Sequence, residues 1–476
     1  MSTPKKIPPW TAASALLLAA VAAYANAFRG GFQFDDFSML QDPRLAGAST
    51  FLHQVGHMVR PLLKLSFLVD RQLFGDHPAG YHLLNLALHI GSGLLLFALL
   101  AHTLRRCSFS NPHIFSTVPF WTALLFLLHP LQTETVTYIS GRATGMAAFF
   151  CLLSLYLFVR SSGAAAPRKA FLLGYGGSLA AFVLALLAKE TAVTLPAALL
   201  LWDVALGRRS EGGSRLRLHW PFWAVLVGAV AMACLHPRYA YLARASLETR
   251  PLYANLLTQA NTVIYALTLF VLPQRLNFDH DLSVYHSFWQ WPTPLSFALL
   301  AAAVVVAWWS RRRAPFFSFG VLWFFLNLLP TNSLVPRYDL LSERNLYLPS
   351  IGVFLAVVSL AAQWTAKAEP QRSAVYEYVA KFIFLLAAIG LLFATLSRNR
   401  IYTDQATFWT DAVHKSPQKA RPHNNLGYAY LLAGDLDRAM DEFRTALSLD
   451  RNFTSAQENL LHTWTLKQHE LTGPRR

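Results

Sequence analysis

The chain has 476 residues, 54% of them hydrophobic and 14% charged, which is more apolar side chain than one water-soluble core requires. Its formal net charge of +16, from 41 Lys and Arg against 25 Asp and Glu, gathers in short clusters beside hydrophobic runs, the distribution of cytoplasmic membrane loops and not of a nucleic-acid surface. The three cysteines, Cys107, Cys151 and Cys234, show no CxxC spacing and no histidine pairing, so neither a disulfide framework nor a zinc site follows.

A bilayer helix needs roughly 17–25 mostly apolar residues. Candidate spans lie at 10–28, 81–104, 117–131, 143–160, 170–188, 191–206, 219–235, 295–310, 316–330, 350–365 and 377–397. Between them fall Lys5 and Lys6, Arg105 and Arg106, Arg160 to Lys169, Arg208 to Arg217, Arg311 to Arg313, and Lys367 to Arg372. With every cluster in the cytoplasm, residues 29–80, 132–142, 331–349 and everything after 398 lie on the other side. The segment 253–272 is apolar enough to cross, yet a crossing would carry Arg311, Arg312 and Arg313 outside. It is therefore expected to be re-entrant or packed on the outer face, a missed second span between 236 and 294 being the alternative. Lys5, Lys6, the first apolar run and Ala25-Asn26-Ala27 have the form of a cleavable signal peptide. Because Arg29 to Phe37 reads as a continuation of that run, the first helix is expected to be retained.

The outer loops collect an unusual set of polar residues. Loop 29–80 holds Asp35, Asp36, Asp42, Arg44, His53, His57, Arg60 and Lys64; the second holds His129, Gln132, Glu134 and Arg142. Lys189 and Glu190 end a helix pair, and Arg337, Asp339, Glu343 and Arg344 precede the penultimate span. Charges at that depth are costly and are usually functional, although some pair only to hold loops together. In FQFDDF two acids are wedged between aromatics at a helix exit. A carboxylate pair can share a proton or serve as general base, and nearby Arg and Lys suit an anionic lipid headgroup. Asp279-His280-Asp281 has the donors for a divalent metal but lacks helical ligand spacing, so a hydrogen-bonded loop is the favoured reading. His82 and His89, seven residues apart on one helix face, read as buried, hydrogen-bonded histidines.

After Arg400 the texture turns polar with helical periodicity. His423, Leu426, Gly427, Tyr430, Ala439, Phe443 and Ala446 fit the tetratricopeptide pattern, in which small residues let two antiparallel helices approach and large ones fill the seam. Shifted back by 34 residues, Trp409, Ala412 and Pro417 occupy corresponding places, and Leu460 and Trp464 continue the register. A capped array of about five helices is expected.

The stretches GGFQFDDF, RPLLKLSFLVDRQLFGDHPAGYHLLNLALH, LLHPLQTETVTYISGRATG, LLAKETAVTLPA and SERNLYLPSIG, followed by tetratricopeptide repeats, resemble the transmembrane and tetratricopeptide repeat-containing protein O-mannosyltransferases and their bacterial relatives. The resemblance implies an all-α fold: a polytopic GT-C-type membrane glycosyltransferase domain over 1–400, with about 11–13 spans and a first extracytoplasmic loop 29–80, then a short tetratricopeptide array over 401–470. It implies an inverting enzyme that moves a hexose, mannose-like, from an undecaprenyl or dolichyl phosphate to Ser or Thr of exported proteins. Carried over by position, Asp35 and Asp36 fall on the catalytic DD motif, with Asp35 the expected base. His129, Glu134, Arg142, Lys189, Glu190, Glu343, Arg344 and Tyr347 fall on elements expected to hold the donor phosphate and sugar. The resemblance assigns no particular cofactor and leaves a divalent metal open. The expected setting is a bacterial inner membrane, with active site and repeat on the periplasmic side and a protein acceptor reached through the repeat. The alternatives are the same chemistry on a lipid A or surface-glycan acceptor, and a non-catalytic scaffold presenting the repeat; a transporter would show repeated membrane halves.

Overall fold

A computed structural model describes residues 9–105, 116–162, 167–207, 212–333 and 335–472; Lys5, Lys6, Arg106, Cys107 and Arg208 lie outside the described residues. Among the described residues every regular element is helical. The chain opens with α1 (Pro9–Tyr24), then crosses a loop carrying α2 (Asp35–Leu40), α3 (Ala48–Gln54) and α4 (Pro61–Phe74). The long α5 (Pro78–Leu104) is followed by α6 (Val118–Leu128), the single turn α7 (Thr133–Val136), and the antiparallel pair α8 (Arg142–Ser161) and α9 (Arg168–Ala188). Next come α10 (Leu195–Leu206), α11 (Gly212–Leu235), α12 (Pro237–Thr249), α13 (Leu252–Leu269), α14 (Thr293–Ser310), α15 (Pro315–Leu328), α16 (Tyr347–Ala366) and α17 (Pro370–Asn399). The tail is α18 (Gln405–Lys415), α19 (Ala420–Leu432), α20 (Leu436–Leu449) and α21 (Thr454–Thr472). Proline opens α4, α5 and α15, where its missing N–H would have had no helical partner anyway.

Eight helical segments among the described residues are long and apolar enough to cross a membrane, and the shorter α6 and α15 are strongly apolar. The segment Arg372–Tyr402 has the highest mean hydropathy, 2.4, with only 11% of its apolar window buried in protein. Val375, Phe382, Ile383, Leu386, Ile389 and Phe393 point outward along it. Such a surface needs an apolar solvent, and the chain is an integral membrane protein.

The helix ends sort into two sets. Asn399 at the end of α17 donates to Ala23 O of α1 (2.9 Å) and to Asn26 (3.0 Å). Arg142 at the start of α8 donates to Tyr81 O of α5 (2.9 Å), Lys189 after α9 to Thr144 of α8 (2.7 Å), and Thr194 before α10 to Asn327 of α15 (2.9 Å). Acids, amides and hydroxyls therefore meet at one end of the bundle. Arg105, Arg160, Arg168, Arg217, Arg311 to Arg313 and Lys367 lie at the other ends of the same helices.

Helix α13, within the 253–272 segment, packs on α14, with Asn261 donating to Thr293 (2.9 Å) and accepting from Ser296 (2.6 Å). Asn255 donates to Ser333 O (2.8 Å), Gln259 to Leu340 O (3.2 Å), and the Tyr265 hydroxyl sits 3.3 Å from His280, which joins the helix to the loops around 333–340 and 280 as well.

Close approaches hold the bundle. Where α15 crosses α16, a Cβ on Gly320 would stand 2.5 Å from Gly352 O, and a Cβ on Gly352 would stand 2.2 Å from Gly320 O. In the tail, a Cβ on Gly427 would stand 2.8 Å from the Phe443 ring, so α19 and α20 touch at the expected small residue. Ala439, Phe443 and Ala446 are buried along that seam, as are Trp409 and Ala412 one helix earlier. The tail has four α-helices among the described residues where about five were expected, with Leu460 and Trp464 on the last of them, α21.

Replacing Gly352 by Val is expected to destabilise the protein by about 1–3 kcal/mol through overpacking against a backbone that cannot yield. Thermal melting of the detergent-solubilised protein measures this. Gly228→Ala on α11, where an added Cβ meets nothing, serves as the comparison and is expected to leave the melting point unchanged or higher.

Candidate active site

The polar end is organised around two acids with opposite surroundings. Asp36 is fully buried. Its Oδ1 accepts from the Ser140 N–H (2.7 Å) and the Ser140 hydroxyl (2.5 Å), and its Oδ2 accepts from the Gln33 N–H (2.8 Å). Burial pushes this carboxyl up to about 7, against the pull of those hydrogen bonds, with the Asp35 charge adding to the rise. Asp36 therefore joins the first loop to the turn before α8. Asp35, its neighbour on α2, has a side chain 46% exposed, with Oδ2 4.0 Å from Arg344 Nη1. Its N–H donates to the Tyr138 hydroxyl (3.1 Å).

What aims Asp35 is the backbone before it. Phe34 sits at φ 38°, ψ −104°, a conformation costing a bulky residue on the order of 1–3 kcal/mol unless its surroundings enforce it. Its ring lies edge-on against Trp409 (5.4 Å) and Phe278 (5.9 Å). Arg60, the other non-glycine residue at positive φ among the described residues (57°), also belongs to this end of the bundle.

Behind Asp35 stands Arg344. Glu134, buried, accepts from the Ser342 hydroxyl (2.8 Å) and the Arg344 N–H (2.9 Å), and its Oε1 lies 3.4 Å from Arg344 Nε. Burial pushes Glu134 above the ordinary carboxylate range, the Arg344 charge opposes the rise and Glu343 adds to it. Arg344 faces the Tyr138 ring at 5.7 Å and reaches toward Asp35.

Beside it lies a concentration of positive charge. Lys189 is buried, and its ammonium donates to two neutral groups, Thr144 Oγ1 (2.7 Å) and Asn345 Oδ1 (3.4 Å). Burial, together with the charges of Arg60, Arg344 and Arg337, holds Lys189 well below the usual lysine range. Glu190 forms a two-pronged ion pair with Arg60. Burial alone would raise Glu190, but that guanidinium holds it at about 2. Thr144, Lys189, Thr191, Asn327, Thr331 and Asn345 line a cavity of about 20 Å³ that Leu348 and Pro349 share, room for about one water.

Other expected site residues have internal roles. Arg142 is fully buried. It pairs with Asp70 (2.5 Å), donates to Asn85 (2.7 Å), Ser66 (3.1 Å) and Tyr81 O (2.9 Å), and lies over the Phe67 ring at 4.6 Å. With its guanidinium so occupied it holds α4, α5 and α8 together. His129 caps the turn after α6 by accepting from the Leu131 N–H, and its other ring nitrogen lies 3.2 Å from Phe270 O. Tyr347 is buried with its hydroxyl 2.8 Å from His89. Glu343 accepts from the Asn277 N–H (2.5 Å), lies 3.0 Å from His280 Nε2 and stands 3.9 Å from Arg398. His82 lies 3.1 Å from Gly30 O.

Asp279 is taken by Lys419 and Arg421 of the tail, and Arg421 also reaches Asp339 (2.6 Å). Among the described residues no group of three His, Cys, Asp or Glu side chains is arranged to hold a metal. Asp42, in the first loop, pairs with Arg44 and Lys64 at 2.7 Å each. Sequence reading placed Arg60 and Arg337 on this face without giving them a part. It passed over Tyr138, Ser140 and Phe278, whose signal is only their position in the loops flanking the acids.

The fold and this end of it define a helical integral membrane protein with an exposed acid beside a cluster of cations. The chain is similar to protein O-mannosyl-transferase Tmtc3 of Drosophila melanogaster, 24% identical over 530 residues that cover 94% of this chain and 56% of that protein. It is likewise similar to protein O-mannosyl-transferase TMTC1 of Homo sapiens, 25% identical over 84% of this chain and 49% of that protein. The resemblance read from the motifs thus extends along nearly the whole chain, which spans about half the length of the curated relatives it matches. No family model matches it. A crystal structure of ArnT from Cupriavidus metallidurans bound to undecaprenyl phosphate is similar at a TM-score of 0.38, with 16% identity over 94% of this chain and 77% of that one.

Removing Asp70 strands the buried Arg142 charge, so Asp70→Ala is expected to cost about 3–5 kcal/mol, whereas Asp70→Leu combined with Arg142→Leu recovers much of that loss. Detergent melting of the single and double variants checks the pairing.

Proposed function

We propose that the chain is a membrane glycosyltransferase that transfers a hexose, mannose-like, from a polyprenyl phosphate to the hydroxyl of Ser or Thr in an exported protein. The observation that carries this reading is the half-exposed Asp35 carboxylate 4.0 Å from Arg344, which is itself one of a group of cations, with Arg60, Lys189 and Arg337, that repel one another's charge. Asp35 removes the acceptor hydroxyl proton. The freed oxygen attacks C1 of the sugar from the face opposite the phosphate, the C1–O bond breaks, and the lipid phosphate departs with the bonding pair. Lys189, Arg60, Arg337 and Arg344 neutralise the charge that develops on it. Lys189 suits this part because its ammonium donates to two neutral groups, so an arriving phosphate would give it a hydrogen-bonded counter-charge in addition to the more distant Glu190. Asp36 holds the loop, Glu134 orients Arg344, and Glu190 orients Arg60. His129, Arg142, Glu343 and Tyr347 fix the helices that carry them. No step calls for a metal.

The basic residues at the far end of the bundle favour a cytoplasmic location for that end. The reaction then takes place on the extracytoplasmic face, where polyprenyl-linked sugars and exported acceptors meet. The helical tail is read as a tetratricopeptide array because Gly427, Ala439, Phe443 and Ala446 form its seam.

Transfer of labelled hexose from polyprenyl phosphate donors to a periplasmic protein extract tests the reading. Asp35→Asn is expected to lower kcat by about a hundred- to ten-thousand-fold in a folded protein, and Lys189→Met to raise the donor KM. Folded wild-type protein that transfers sugar from none of the donors would overturn it.

A further inference from the structure

We propose that the first helix of the C-terminal array, α18, is a clamp that sets the conformation of the acidic loop, with Trp409 as its positioning residue. The consequence for catalysis rests on the reading of Asp35 as the base. The Asp35 carboxylate has few anchors of its own: it is half exposed and stands 4.0 Å from its nearest ion partner, Arg344. Its direction is therefore set by the backbone that carries it, and three residues just before it, Gly31, Gln33 and Phe34, are held from α18 and the turn that leads into it. Gly31 N–H donates to Tyr402 O and Thr403 O (3.1 Å each), and the Gln33 amide donates to Tyr402 O (3.1 Å). Phe34, at its unfavourable φ, is braced by Trp409, which is only 2% exposed. The Tyr138 hydroxyl that receives the Asp35 N–H belongs to a cluster with Tyr402, Phe408 and Trp409.

The array is fastened beside this contact by charge. Lys419 and Arg421 grip Asp279, Arg421 reaches Asp339, and Asp411 joins Lys415 to Arg398 of α17. A tail that served only to recruit acceptors would need neither the wedge on Phe34 nor bonds to Gly31 and Gln33. A strained backbone braced by a packed ring loosens when that ring is removed.

Hydrogen exchange of amides 33–37 in the full-length protein, alongside transfer kinetics, tests this on Trp409→Ala, Trp409→Phe and, as a comparison on the exposed face of α21, Trp464→Ala. Exchange is expected to speed up by about ten-fold or more in Trp409→Ala, with kcat falling while the donor KM stays constant. Trp409→Phe, which keeps a ring, restores most of both, and Trp464→Ala resembles wild type. Phe34→Leu reads the same contact from the other side should Trp409→Ala fail to fold. Unchanged exchange at 33–37 in either folded variant overturns the clamp, as does an equal effect from Trp464→Ala. Faster exchange in Trp409→Ala together with a wild-type protein that transfers no sugar upholds the clamp and overturns the glycosyltransferase reading instead.

Discussion

The contact of Glu134 with Arg344 ties together the elements on which the polar end depends. Glu134 comes from the single turn between α6 and α8, and Arg344 from the turn that starts α16. The acid accepts from both the backbone and the side-chain hydroxyl of the second turn while facing its guanidinium. A buried carboxylate without such partners would be prohibitively costly in this environment. Its partners therefore determine how the two turns meet, and the meeting sets where Arg344 stands relative to Asp35.

The two adjacent aspartates show how one sequence motif divides into two tasks. Three hydrogen bonds and full burial make Asp36 a structural tie between the first loop and Ser140. The preceding side chain, Asp35, points elsewhere, since neighbours along a helix are turned by about 100°, and it emerges half exposed beside a cation. That division places Asp35, and not Asp36, at the reacting position in the proposed chemistry. Arg142 and Arg344 divide in the same way, one enclosed by Asp70, Asn85 and Phe67, the other left with a side chain that reaches toward Asp35.

The C-terminal helices are part of this end of the molecule and not an appendage. Their aromatic residues share a cluster with Tyr138, and their Lys419 and Arg421 occupy Asp279 of the 277–281 loop. This explains why Asp279-His280-Asp281, which read from its letters as metal donors or a polar loop, is a docking point: its two outward chemistries are taken by Arg421 and Lys419 on one side and Glu343 on the other.

The long apolar helices and the basic clusters between them were legible in the sequence alone, because length, hydropathy and charge flanking are local properties that the bilayer selects directly; the shorter α2, α3, α4, α7 and α12 were not. The tail's seam was legible for a similar reason, since Gly427 and Phe443 must meet at short range. The tertiary structure alone decided which charges are spent on holding the fold and which stand beside Asp35. Arg60 finds Glu190 across 130 positions, Ser342 finds Glu134 across 208, and Phe34 finds Trp409 through a helix that no local pattern links to it. Such partners depend on how each helix is rotated about its axis when it packs, and that rotation is set by all its neighbours together.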